Sequence, residues 1–318
     1  MKKLGIIAIM GLALFVGGGG LQAENHADLT IGLMPAYNSI PLVVARAREL
    51  FAANGITVAL MPFNGQLERE TALQTGALDG TISDLINAIQ SWSHGFGARV
   101  TSVSEGNFSL LASPHSTLRS LSDWPSSGRS RVRTGLLENS IVYYLTERML
   151  SSVGADPSRL DLVPIVQLPA RVEMLLADKV DAACLPEPLA TLAVSRGARV
   201  LADTDALGTT PGVLLFTKKA LLEKRSQISA FYRSYDAAVD EVNAQPDSFR
   251  QSIVTGCGFP PSVSALIRIP RFQHAFLPPE KLVADVAGWM AGKGLSKKIP
   301  FYPEIVDPGF VANNARTE

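Results

Sequence analysis

Cysteine is nearly missing from this 318-residue chain: Cys184 and Cys257 are the only two. A framework of several disulfides is excluded, and so is a cysteine-cluster metal site. Two cysteines can pair in an oxidising compartment. Cys184 lies in a strand-like run, however, and Cys257 follows a helix far along the chain, which predicts two separate thiols. Histidine is scarce too. His26, His94, His115 and His274 are scattered without metal-ligand spacing. No G-x-S-x-G elbow and no Gly-rich phosphate loop occurs, because the only glycine run, at 17–20, belongs to an apolar leader. There is no excess of one charge, with 29 basic against 29 acidic residues, so a nucleic-acid surface is not indicated. Beyond the leader, no apolar run approaches the ~20 residues that span a bilayer.

What is present begins with that leader. Lys2-Lys3 precede Leu4–Val16, which is almost wholly apolar, and Leu21-Gln22-Ala23 follows the glycines. This reads as a signal peptide at 1–23, too short before its glycines for a membrane anchor, with cleavage after Ala23. No cysteine stands near the cleavage site to carry a lipid. Loss of Lys2 and Lys3 leaves 27 basic and 29 acidic residues, a net charge of −2. A soluble exported chain of this kind suits a Gram-negative periplasm.

The mature chain alternates strand and helix. Leu29–Met34 has strand composition, Pro35–Ser39 breaks it, and from Ile40 the apolar residues fall at 40, 43, 44, 47, 50 and 51, which is helix spacing. Asn38 or Ser39 can cap that helix, Pro41 suits its first turn, and Gly55 is placed to end it. Strand Thr57–Pro62, turn Asn64–Gln66, helix Leu67–Thr75, strand Ala77–Ile82 and a helix opened by Ser83-Asp84 follow. This is the order of an α/β domain with a mainly parallel sheet. Its strand-to-helix junctions are small and polar, and in open α/β sheets such junctions gather at the carboxyl edge, where ligands bind.

Arg99–Val103 and Asn107–Ser113 read as strands, and a polar stretch from Pro114 to Arg131 then leads to a restart of the same order. Arg131–Leu136, helix Ile141–Val153, strand Leu160–Val166, a helix through Ala177, strand Val180–Leu185 and a helix to Gly197 make a second unit. LQTGALDGTIS at 73–83 aligns without gaps with LLADKVDAACL at 175–185, placing Asp79 over Asp181. That modest match supports two similar lobes. Gly212–Thr217 is a further strand, and helices at Ala220–Val242, Ser248–Gly256, Pro261–Ile269 and Pro279–Gly292 fill the remainder. The expected organisation is lobe one at 24–112, lobe two at 113–211, and completion of lobe one by 212–318. The crossings fall near Ser109–Pro114 and Pro211–Leu215, and one cleft lies between the lobes.

The segments IGLMPAYNSIPLVVARARELFAANGITVAL, TALQTGALDGTISD and RVEMLLADKVDAACLPEPLATLA resemble those of ABC-importer solute-binding proteins. The branch is that of nitrate, sulfonate, taurine and thiamine-pyrimidine uptake, and the likeness covers most of Leu29–Ala202. The resemblance implies a type II periplasmic-binding fold with two crossover strands. It implies capture of a small molecule by cleft closure and delivery to a permease with its ATPase, by a monomer without cofactor or catalysis. Ligand contacts in the family come from strand-to-helix loops. The matching positions are Tyr37, Asn38, Ser39, Asn64, Gln66, Ser83 and Asp84, then Glu138, Asn139, Ser140, Gln167, Pro186 and Glu187.

Asn38, Ser39, Asn139 and Ser140 also suit plain helix caps. Tyr37 and Phe108 suit ligand stacking or packing equally. Asp84 and Glu187 also suit helix-start acids. If both face the cleft, they oppose a bare anion and favour an amine-bearing or heterocyclic ligand; a sulfonate, taurine or nitrate ligand is the alternative. Arg69, Arg148 and Arg171 lie inside helices, where solvated faces are expected, and Arg171, nearest a junction, is the one cationic candidate for the site. A lyase or transferase on the same fold, and an exported sensor, are the other classes. The cysteine-rich motif of related thiamine-pyrimidine synthases is absent.

Overall fold

The computed structural model describes residues 27–125, 131–208 and 210–311, so the expected signal peptide lies outside the described residues. Among the described residues, ten strands form two five-stranded sheets. β1 (Leu29–Leu33), β2 (Val58–Pro62), β3 (Gly80–Asp84) and β4 (Arg99–Val103) lie in the first. β5 (Phe108–Ala112), β6 (Val132–Leu136), β7 (Leu160–Pro164), β8 (Ala182–Pro186) and β9 (Arg199–Asp203) form the second. β10 (Gly212–Phe216) returns to the first. The orders are β2-β1-β3-β10-β4 and β7-β6-β8-β5-β9. In each sheet one strand, β10 or β5, runs antiparallel to its neighbours. The two-lobed α/β fold expected from the sequence is thus present.

One expectation needs correcting. The first crossing does not fall within Ser109–Pro114: β5 already pairs with β8, Ser109 opposite Leu185, so the chain has changed sheet by residues 104–107. Backbone pairing decides this. An apolar run of strand composition has no mark of the sheet that will accept it.

The helices cover both faces of the sheets. α1 (Ile40–Ala47) and α2 (Leu50–Ala53) replace the single helix expected from Ile40 to its stop at Gly55. The break comes at Glu49, whose φ of 57° is left-handed, while Arg48 beside it reaches Glu241 at 2.5 Å. α3 (Gln66–Gln74) and α4 (Leu85–Ser93) follow β2 and β3. In the second lobe α5 (Ile141–Ser152), α6 (Leu168–Leu176) and α7 (Leu189–Ser195) follow β6, β7 and β8. The C-terminal part adds α8 (Lys218–Glu223), α9 (Arg225–Ala244), α10 (Arg250–Gly256), α11 (Glu280–Gly292) and α12 (Tyr302–Ile305). Of the helix expected at Pro261–Ile269 only a 3-10 turn, Pro261–Val263, forms.

Central strands are buried on both faces, so neighbouring residues feed different cores. Leu214 and Phe216 of β10 enter one apolar cluster, while Val213 and Leu215 enter the other. That explains their near-continuous apolar runs. On one face α9 packs on α1, and Phe231 stacks on Phe51 at 5.9 Å and meets Phe216 edge-on at 5.7 Å. On the other face α11 packs on α4. Cys257 belongs to the first cluster and Cys184 to the second, both buried and free.

The two aligned aspartates do the same work in each lobe. Asp79 accepts from the Thr30 backbone N–H at 2.9 Å, and Asp181 accepts from that of Arg133 at 3.0 Å. Asp79 therefore ties the turn before β3 to β1, and Asp181 ties the turn before β8 to β6. A cation completes each arrangement, Lys224 on Asp79 and Arg133 on Asp181.

Candidate functional site

A cavity of about 80 Å³ lies between the lobes at the carboxyl ends of β1, β3 and β8. Its wall is mostly apolar, with Met34 and Ile82 from the first lobe and Phe108, Leu137, Val166 and Leu168 from the second. Such a wall removes water and leaves a few polar groups to orient what binds.

Those polar groups come from loop ends, as the topology requires. Ser140 starts α5: its Oγ accepts from Tyr143 N–H at 3.4 Å and donates to the Leu137 carbonyl. Asp84 starts α4 and is fully engaged locally, Oδ1 accepting from the Asn87 backbone at 2.9 Å and Oδ2 from its side chain at 2.8 Å. Burial pushes the Asp84 carboxyl up to about 6, against the pull of Arg69. Asn38 sits in the 3-10 turn Tyr37–Ser39, with its Oδ1 buried and without a partner among the described residues. The cap expected from Asn38 or Ser39 does not form, because Ser39 Oγ donates to the Met34 carbonyl at 2.7 Å instead.

Two arginines border the cavity, and both overturn the expectation of solvated helix faces. Arg69 is 5% exposed and Arg171 is 3% exposed. They stand 102 residues apart, the same spacing that separates Asp79 from Asp181, and each is the fourth residue of its helix. That internal repeat was the signal in the sequence that could have found Arg69. Their surroundings differ by one neighbour. Arg69 Nη2 donates to Glu70 at 2.6 Å and to Ser83 Oγ at 3.1 Å. The residue after Arg171 is Val172, so no such carboxylate is at hand. Arg171 donates to the Ile165 carbonyl from Nη2 at 2.7 Å and Nε at 3.2 Å, and to the Cys184 carbonyl from Nη1 at 3.2 Å. It has no ion-pair partner among the described residues. Burial lowers its pKa to about 10, which keeps it a cation at neutral pH. Arg148, by contrast, is exposed and lies over the Tyr144 ring.

The remaining expected positions fall into three places. Asn38, Gln66, Ser83, Asp84, Phe108, Ser140, Arg171 and Pro186 border the cavity. Asn64, Gln66, Asn139 and Gln167 hold the lobes together. Gly65 and Gln167 form an antiparallel bridge, Leu168 N–H donates to the Asn64 carbonyl at 3.1 Å, and Gln66 Nε2 reaches the Asn139 carbonyl at 3.3 Å. Gln167 also donates to Glu68 at 2.9 Å. The cleft is closed by these contacts. Glu138 and Asn139 edge a groove outside the clasp. Tyr37 and Glu187 line a separate groove bordered by α7 and the 266–270 segment. Glu187 there accepts from Thr191 N–H, and burial raises its carboxyl. Glu187 therefore does not border the cavity, and Asp84 is the one carboxylate of the expected pair that does.

The sheets, the two crossings and a closed interlobe cavity define a two-lobed type II periplasmic-binding fold. The profile of the NMT1-like family matches residues 22–256, and the chain belongs to that family. A Brachyspira hyodysenteriae protein described as an ABC transporter periplasmic binding protein is 22% identical over 254 residues, 74% of this chain and 71% of that protein. The alkanesulfonate-binding protein SsuA of Xanthomonas axonopodis pv. citri, bound to MOPS, superposes with a TM-score of 0.73 at 19% identity, over 87% of this chain and 97% of that one. The ligand-binding component of a Staphylococcus aureus ABC-type import system gives 0.72 at 16% identity, over 89% and 97%. The resemblance to solute-binding proteins read from the sequence is borne out.

Proposed function

We propose that this chain is a periplasmic solute-binding protein of an ABC importer, exported by the leader at 1–23 and working as a monomer. It captures a small organic anion with a largely apolar body, closes on it, and delivers it to a permease with its ATPase, without chemical turnover. The observation that carries the ligand class is Arg171, a buried cation at the cavity wall whose partners among the described residues are all carbonyls. A buried charge without a counter-ion is costly, and an anion in the cavity supplies one. The family match and the solved solute-binding neighbours support the transport role.

The amine-bearing or heterocyclic ligand expected from two facing carboxylates has only Asp84 in the wall to support it. Calorimetry on the mature chain separates the two readings. Butyrate and 1-propanesulfonate are expected to bind, and Arg171→Met to weaken both at least ~30-fold, in line with loss of a charge-assisted hydrogen bond. Binding of propylamine or pyrimidines with no binding of either anion would overturn the anion reading in favour of the second. Turnover of any of these compounds would favour the enzyme class.

A further inference from the structure

The two equivalent arginines leave different things unfinished. Arg171 has a charge without a counter-charge. The Arg69 charge is already met by Glu70, and Ser83 Oγ closes the group by donating to the same Glu70 oxygen at 2.9 Å. As a unit Arg69 and Glu70 are neutral. Of the remaining guanidinium nitrogens, Arg69 Nε is buried and has no partner among the described residues.

Asn38 borders the same cavity and is 9% exposed. It caps no helix, and its Oδ1 is buried with no partner among the described residues. Exchanging the amide oxygen and nitrogen would change which atom is unmet but not the fact of it. Asp84, in the same wall, has both oxygens on Asn87 and is not the missing acceptor. Residues of lobe one that border the cavity thus include a buried donor and a buried amide atom without a partner among the described residues, and buried polar groups of native proteins are rarely left so.

We propose that Arg69 and Asn38 recognise a neutral group that both accepts and donates hydrogen bonds, of the carboxamide type, at the end of the ligand remote from Arg171. Its carbonyl accepts from Arg69 Nε, and its N–H meets Asn38. The inference rests on the ligand-binding reading of this cavity. It makes the preferred solute an organic anion with an uncharged amide-like terminus. A simple alkyl anion leaves the two protein groups unmet, and a terminal cation would face the Arg69 guanidinium without an acceptor to match its N–H.

The test compares succinamate with butyrate by calorimetry on the mature chain, and adds butyramide, read by saturation-transfer NMR, as a probe of the amide end alone. Succinamate is expected to bind about tenfold more tightly than butyrate, because satisfying buried polar groups is worth that much. Asn38→Leu is expected to bring the ratio of the two affinities within about twofold, and Asn38→Ala to do the same, with folding of both variants checked by thermal melting. Equal affinities in the native chain, or a ratio that survives both substitutions, would overturn the inference. If neither anion binds, the anion reading has failed, and butyramide decides this one separately. A butyramide signal abolished by Asn38→Leu supports it, and no signal overturns it.

Discussion

At the scale of single residues, Asp84 carries a pH signature. Its carboxyl is pushed up to about 6 by burial, from 3.8 when unfolded. Between those values the folded chain binds a proton that the unfolded chain does not. Its charged form is therefore a cost present above pH ~6 and relieved as pH falls toward ~4. Asp84→Asn keeps a cap of the same shape and removes the titration. The melting temperature of the native chain minus that of the variant is expected to rise as pH drops from 7 to 4, and a flat difference would contradict the burial argument. Residue chemistry was only partly legible in the sequence. Asp84 and Arg171 stood beside junctions and were picked out, whereas Arg69 looked like a solvated helix residue. Which face of a short helix points inward depends on how the lobes meet, and α3 has too few apolar residues to show it. Glu187 shows the reverse: its junction was right, but its side chain turns into the groove beside α7.

At the scale of elements, strands and helices were largely legible, because apolar runs and 3.6-residue spacing are local signals. The break at Glu49 was not, since one left-handed residue leaves the apolar spacing intact. The clasp was not either, because it joins loops 102 residues apart that are equivalent in the two lobes: Gly65 meets Gln167. A Cβ on Gly65 would lie 2.9 Å from the Gln167 amide nitrogen. Gly65→Val is expected to hold the lobes apart, raising the radius of gyration of the ligand-saturated protein in X-ray scattering and speeding ligand release several-fold. Scattering identical to the native chain would show that the clasp adapts. The core should respond differently. Phe231→Ala removes a ring packed on Phe51 and Phe216, and should cost ~3–5 kcal/mol in denaturant unfolding without changing the closed geometry.

For the molecule as a whole, each lobe repeats one plan with its antiparallel strand supplied beside a crossing, β10 in the first sheet and β5 in the second. The general plan was readable from element order and the short aligned repeat; the point of the first crossing was not, because it depends on pairing partners. The thiols report on this architecture, Cys257 among the helices of the first lobe and Cys184 in the second sheet, each raised by burial, Cys184 to about 12. Neither should react with a water-soluble disulfide reagent in the native chain, and two free thiols should be counted after unfolding without reductant. A count of zero would mean a bridge.

The connections between the lobes meet at one spot. Ser104 N–H donates to the Gly212 carbonyl at 2.9 Å, just where one segment leaves the first sheet and the other re-enters it. A side chain on Gly212 would strike the Ser104 carbonyl, its Cβ only 2.4 Å from the oxygen. Two strands bound side by side bend together but resist twisting against each other. Such a tie is expected to restrict the second lobe to a swing about one axis, so that each closing brings Gln167 back into register with Gly65.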